Sequence, residues 1–194
     1  LFKFFGSRAE IDDVPSWELI SSNMGTSRNL AALADVKIGS QRYLYALGGM
    51  NNGQLLSSVE RLEIDPALGT PLPSAQWETS ASWGQMYSGR AAFKAIQFRD
   101  ESDNYPNYLY VISGDIHIPY DEENYTNPLL FSTVERLDLN NPTGSWEPVS
   151  ILAGLNFYPE ILRVGNQLHI VGGVYGYPKD YYSQPDFTGD EMRW

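Results

Sequence analysis

Val59-Glu-Arg-Leu-Glu-Ile-Asp65 and Val134-Glu-Arg-Leu-Asp-Leu-Asn140 are one segment written twice, with four identical residues followed by acidic and aliphatic positions in register. Working outward, a second element lies ahead of each copy: Tyr43-Leu-Tyr-Ala-Leu-Gly-Gly49 and Tyr108-Leu-Tyr-Val-Ile-Ser-Gly114, with a third relative at Gln167-Leu-His-Ile-Val-Gly-Gly173. Each is an aliphatic and aromatic strand ending in a small pair. The pairs begin at Gly48, Ser113 and Gly172, spacings of 65 and 59 residues. Glycine at a strand end admits backbone conformations and close approaches that a side chain blocks. Behind each Val-Glu-Arg copy comes a Trp-Glu, at Trp77 and Trp146, and ahead of each unit an arginine, Arg28 or Arg90, precedes an apolar strand.

The repeating unit is therefore an arginine and a strand, a second strand with a small pair, a Val-Glu-Arg strand and a Trp strand: four antiparallel strands. A self-similar sheet of this size cannot bury both faces alone, so it stacks on its neighbours. Composition agrees with an all-β chain. Thirteen Tyr, five Trp and eight Phe stand beside 17 Gly and 12 Pro. Aromatics favour strands, Gly and Pro punctuate them, and no long stretch keeps a helical apolar period.

These motifs resemble the kelch family, whose blades carry a Gly-Gly doublet after the second strand and a Trp near the fourth. The resemblance runs from about Trp17 to Trp194. It implies a kelch-type β-propeller of four-stranded antiparallel blades, incomplete in this chain. Two departures are the length of the units, greater than the roughly 50 residues of a usual kelch repeat, and Ser113 in place of the first Gly. In this reading residues 17–21 form a ring-closing outer strand, 28–82 the first blade, 90–150 the second, and 159–194 a partial third. In the third, strands at 160–164 and 167–173 are followed by 190–194, where Arg193 aligns with Arg61 and Arg136. The chain then reads as the N-terminal part of a larger propeller; the rival is a ring assembled from several copies.

Lys and Arg number 13 against 24 Asp and Glu, a net charge of −11. That balance argues against a nucleic-acid binder, since phosphate affinity needs a cationic surface, and equally against a polybasic membrane-surface module. No apolar run approaches the ~18 residues of a spanning helix, so no membrane insertion is expected. Cysteine is absent, which removes disulfides, thiolate metal sites and a cysteine nucleophile. Leu1–Phe5 is apolar but too short for a signal peptide. The absence of cysteine, the few lysines and the acidic, Asn- and Tyr-rich composition fit an extracellular, periplasmic or cell-surface location.

Strand parity puts the loops 22–27, 50–57, 82–89, 115–130, 151–158 and 174–189 on one face. Long loops on a rigid scaffold commonly carry function. Loop 115–130 holds Asp115, His117, Tyr120, Asp121, Glu122, Glu123 and Tyr125; loop 174–189 holds Tyr175, Tyr177, Tyr181 and Tyr182. Aromatic faces beside carboxylates suit a protein contact anchored by Tyr, sugar stacking or cation recognition. The bland reading is that the tyrosines pack on their own loops and the acids are solvated. Calcium is the one cofactor to weigh, through the acids of 121–123, but these lack the alternating spacing of a calcium loop; no cofactor is expected otherwise. Of the two histidines, His169 lies in register with Tyr45 and Tyr110 and reads as a packing residue. Arg28 and Arg90 have two readings: buried pairing with the repeated acids Glu60 and Glu135, since a buried charge needs a partner, or a cationic ring gripping an anionic ligand. There is no Walker loop, GxSxG or HExxH. Asn124-Tyr-Thr126 is a glycosylation acceptor pattern.

The resemblance implies a non-catalytic protein-binding or assembly module, with protein partners. The alternative is a sugar-binding or sugar-active propeller with a carbohydrate ligand, since kelch-like propellers include an oxidase and an epimerase acting on sugars.

Overall fold

The computed structural model describes residues 2–5, 16–19, 23–99, 107–114, 133–141, 144–151, 159–165 and 167–171. Every regular element among them is a β-strand, and every strand pair is antiparallel. The chain is all-β, as its aromatic, Gly and Pro content and the lack of a helical period predict.

An N-terminal hairpin pairs β1 (Phe2–Phe5) with β2 (Ser16–Leu19). The first large sheet contains β3 (Ala32–Ile38), β4 (Gln41–Leu47) and β7 (Val59–Ile64) in that spatial order. Between β4 and β7 lies a small hairpin of β5 (Met50–Asn51) and β6 (Gln54–Leu55), inside the stretch read from sequence as a loop. The second sheet is a four-stranded meander: β8 (Lys94–Arg99), β9 (Asn107–Ile112), β10 (Thr133–Asp138) and β11 (Glu147–Ile151). The third sheet pairs β12 (Glu160–Val164) with β13 (Gln167–Val171).

The two Val-Glu-Arg segments are β7 and β10, and the aromatic strands are β4 and β9. Their pairings coincide: Tyr45 faces Arg61 as Tyr110 faces Arg136, and Leu44 faces Leu62 as Leu109 faces Leu137. The two sheets thus share one register.

The first sheet departs from the four strands that its sequence predicts. Trp77-Glu-Thr-Ser80 forms one bridge, Glu78 to Arg61, instead of a fourth strand. The Thr79 hydroxyl donates to the Val59 carbonyl, and the Val59 N–H turns to the Gly84 carbonyl. The backbone groups that a full outer strand would pair with are thus taken by a side chain and by the turn that follows. In the second sheet β11 pairs with β10 over a longer run, with one register shift between Val134 and Glu135.

The sheets stack, and β3 lies against β8 as β8 lies against β12. The face of the first sheet carrying Ala32, Ala34, Val36, Tyr43, Tyr45, Leu47 and Val59 packs with Leu109, Val111 and Leu137 of the second, closed by Trp83, Met86, Phe93 and Trp146. Fully buried leucines such as Leu47 and Leu109 each contribute about 2 kcal/mol by transfer from water. The indole N–H of Trp146 crosses the layer to the Trp83 carbonyl at 2.8 Å. The Arg61 guanidinium lies over the rings of Tyr43 and Trp83, at 4.3 and 4.5 Å from their centroids, and Arg136 lies over Tyr108 in the matching place.

The small pairs press against the segments that lead into the sheets. Gly49 and Gly114 have φ of 93° and 103°. A Cβ on Gly49 would stand 2.5 Å from the Asn29 carbonyl oxygen, and one on Gly114 2.7 Å from that of Ala91. Leu30 and Ala92, the next residues along, both hold the left-handed conformation, with φ of 53° and 55°. The same strained connection is built twice.

Candidate functional site

Arg28 and Arg90 are the sequence-derived site residues that lie within the described part of the chain. Each sits just ahead of the first strand of its sheet and reaches back across that sheet. Arg28 Nη1 donates to the carbonyls of Gly48 and Ser58, and Nη2 to the Ser58 hydroxyl and Glu60. Arg90 Nη1 donates to the carbonyls of Ser113 and Thr133, and Nη2 to the Thr133 hydroxyl and Glu135.

The carboxylates close the arrangement. Glu60 also accepts from the backbone N–H groups of Gly25 and Thr26, and Glu135 from those of Tyr87 and Ser88. The clamp thus ties three parts of the chain together: the segment entering the sheet, the end of its second strand and the start of its third. The arginine side chains are 1% and 0% exposed. Burial lowers the Arg90 pKa, while Glu135 beside it acts in the opposite sense. The guanidinium nitrogens at the fork are spent on the protein itself, and Nε of both arginines has no hydrogen-bond partner. A buried unpaired N–H costs about 1–3 kcal/mol, less than a charge-assisted network of this size returns. Of the two readings of these arginines, the geometry matches buried pairing with the repeated acids.

A second recurring position lies at the other end of the inner strands. In the first sheet Arg42 forms a bidentate ion pair with Asp35. In the second, the corresponding residues are Asn107 and Gln97, joined at 2.6 Å. The Gln97 amide also takes both backbone groups of Lys37, at 2.8 and 2.7 Å, and Asn107 donates to the same Lys37 carbonyl. These amides join the second sheet to the β3 edge of the first at Lys37 and take backbone groups that another strand would pair with there. Nothing in the sequence repeat marks them, since the residue types differ between units.

An open polar cleft of about 200 Å³ lies along the outer side of the first sheet, lined by Glu63, Leu72, Ser74, Ala75, Gln76 and Glu78. Sequence reasoning did not single it out. Its carboxylates are engaged, Glu63 by the Gln41 amide at 3.0 Å and Glu78 by Arg61 at 2.7 Å. Among the described residues no group of His, Cys, Asp and Glu is arranged to hold a metal ion, and no helix is long and apolar enough to cross a membrane.

The acidic and aromatic candidates from Asp115 to Tyr125, with the calcium reading attached to 121–123, lie outside the described residues, as do the tyrosines from Tyr175 to Tyr182. His169 is described: it faces Leu162 across β12 and β13 and is exposed. Compared with models of known protein families the sequence matches none, and no curated protein matches it either.

Proposed function

We propose that the stacked sheets are consecutive wedges of a kelch-like propeller, and that the protein is a non-catalytic binding or assembly module which engages protein partners through its non-repeating loops. One observation carries this reading: the described polar groups that recur from unit to unit are spent inside the scaffold. The Arg–Glu clamps, the small pairs and the Arg–Tyr stacks all serve sheet geometry, which leaves recognition to segments that do not repeat. The stack itself is head-to-tail. The Tyr and Arg side of one sheet meets the Leu side of the next, and such a heterologous contact repeated with a constant rotation generates a ring. Propellers of four to eight blades are the usual closed form. In the sequence, the 115–130 and 174–189 segments combine tyrosines with carboxylates and suit a partner with basic groups.

Cross-linking in the cells that make the protein, followed by mapping of the linked peptides, tests this. The expected result is a stoichiometric protein partner linked within 115–130 or 174–189. Specific binding of a carbohydrate on a glycan array, with no protein linked to either segment, would overturn it in favour of a sugar-directed propeller.

A further inference from the structure

Asn52-Gly53 is the single Asn-Gly pair in the sequence. It forms the tip of the β5–β6 hairpin, between the opposed residues Asn51 and Gln54. Both tip residues have positive φ, 49° and 77°, the signature of a type I′ turn. Asn52, Gly53 and Gln54 are exposed, and a Cβ on Gly53 would meet no atom within 4 Å. Such a pair is chemically self-reactive. The side-chain amide carbon of an asparagine lies within five-membered-ring reach of the next residue's backbone nitrogen. A side chain on that next residue obstructs the approach, and glycine has none.

In a closed type I′ turn the Asn52 side chain and the Gly53 nitrogen lie on opposite sides of the Asn52 Cα–C bond, so ring closure requires the turn to open. The hairpin is held by two residue pairs, Met50 with Leu55 and Asn51 with Gln54. A ladder that short is marginal by itself, and opening it costs little. Its base is fixed more firmly. Met50 exchanges two backbone hydrogen bonds with Asn29, at 3.0 and 2.8 Å, Leu56 donates to the Gly49 carbonyl at 2.8 Å, and Arg90 donates to the Leu56 carbonyl at 3.1 Å. The tip can swing open while its base stays in place. The other described asparagines lack these conditions. Asn107 is buried, with its side chain bonded to Gln97 and Lys37. Asn23, Asn29, Asn51 and Asn140 precede Met, Leu, Asn and Asn, whose side chains crowd the nitrogen, and Asn141 precedes Pro142, which has no N–H.

We propose that Asn52 is a site of spontaneous covalent modification, converting to isoaspartate and aspartate through opening of the hairpin tip, with water as the co-reactant. The Gly53 nitrogen gives its proton to hydroxide and attacks Cγ of Asn52. The N–Cγ bond forms, the Cγ–Nδ2 bond breaks, and Nδ2 takes a proton from water and leaves as ammonia. Water then adds to one of the two carbonyls of the succinimide ring and breaks that carbonyl's bond to nitrogen. Opening at the side-chain carbonyl gives aspartate; opening at the backbone carbonyl gives isoaspartate, in which the chain runs through the side-chain carbons. Either product puts a carboxylate where a neutral amide stood. Isoaspartate also lengthens a two-residue loop whose turn type sets the hairpin register. The change stays at the tip, since the bonds at the base and both arginine clamps lie outside it. The chemistry needs the hairpin and water alone, and it holds whether or not the sheets belong to a propeller.

Incubation of the purified full chain at mildly alkaline pH, sampled over days by peptide mapping and mass spectrometry, tests this. The peptide holding Asn52 should gain the mass of O over NH and separate into two isomers, one of which an isoaspartyl methyltransferase labels. The loss of its amide should be first order in hydroxide, while Asn107 keeps its own. A synthetic peptide of residues 48–57 should react faster than the folded chain, because nothing holds its turn closed. Asn52→Gln should abolish conversion at 52, since the longer side chain would have to close a six-membered ring. An Asn52 amide that lasts as long as that of Asn107 in the folded chain overturns the proposal. So does a folded chain that reacts as fast as the peptide, because opening of the tip would then not be the route.

Discussion

The first and second sheets are two readings of one repeat, and they differ in how completely they close. The Arg90–Glu135 clamp is sealed, with side chains 0% and 1% exposed, while its counterpart Arg28–Glu60 is 1% and 7% exposed. The second sheet has a full outer strand, β11; the first has only isolated bridges there, Arg61 with Glu78 and Ile64 with Pro71. At the close approach the first sheet uses Gly48, and the second uses Ser113 with φ of 67°. What is held constant is the set of contacts that fixes strand register and entry angle; what varies is the outer edge. The repeat therefore tolerates a missing outer strand better than a missing clamp.

The largest effect should come from breaking the more deeply buried clamp. Arg90→Ala leaves Glu135 buried with its counter-charge removed and strips donors from the Ser113 and Thr133 carbonyls. Removing one partner of a buried pair costs about 3–5 kcal/mol. Arg28→Ala should cost less, because the Glu60 carboxylate it abandons retains some contact with water. Urea denaturation midpoints of the two variants check the order. Equal losses would mean that the difference in burial carries no energetic weight.

The small pair gives a sharper contrast. At Gly48 a Cβ would lie 2.6 Å from the Arg90 carbonyl oxygen and 2.9 Å from the Phe93 ring, with φ at 54°. Gly48→Ser combines a left-handed non-glycine residue, costing about 1–2 kcal/mol, with a backbone collision that only a shift of the second sheet relieves. A loss of about 2–3 kcal/mol is expected. Ser113 already holds the left-handed conformation in its own sheet, and Ser113→Gly should change stability by less than about 1 kcal/mol. Thermal unfolding of both variants checks the contrast. A Gly48→Ser protein as stable as the parent would mean that the first and second sheets are not pressed together at this point.

Much of this framework is legible in the sequence because repetition converts one guess into several independent ones. The Val-Glu-Arg strands, the small pairs and the arginines ahead of β3 and β8 all fall at matched positions, and their partners follow by register. Three things escape for physical reasons. The outer strand of the first sheet is lost because the Thr79 hydroxyl and the Gly84 carbonyl take the backbone groups of Val59, and side-chain competition of that kind leaves no periodic trace. The Gln97–Asn107 joint is invisible because its counterpart in the first sheet is an ion pair. The pairing of Phe2–Phe5 with Ser16–Leu19 is hidden because so short an apolar-rich stretch fits many fates. Candidate binding residues were the least legible, since loops that occur once have no second copy against which to test a reading.

The smallest effect distinguishes the two versions of the inner-strand joint by charge. Hydrogen bonding to Arg42 holds the Asp35 carboxyl below its ordinary value of 3.8, against a partial opposing effect of burial. A carboxyl with a lowered folded-state pKa contributes stability that is complete above its unfolded value and is lost as pH falls through the folded one. The Asp35–Arg42 pair should therefore add a constant increment at neutral pH and lose it below about pH 4, where the carboxylate takes up a proton. The pair is partly exposed, at 54% and 32% of its side chains, so the increment is screened and should stay below about 1 kcal/mol. Rebuilding the first sheet in the image of the second, with Asp35→Gln and Arg42→Asn, replaces two charges with two amides that do not titrate. The difference in stability between parent and double variant, followed by denaturation from pH 7 to pH 2.5, should shrink as the pH drops. A difference that stays flat across that range would show that the ion pair adds nothing an amide pair does not, and that charge at this position is incidental to the fold.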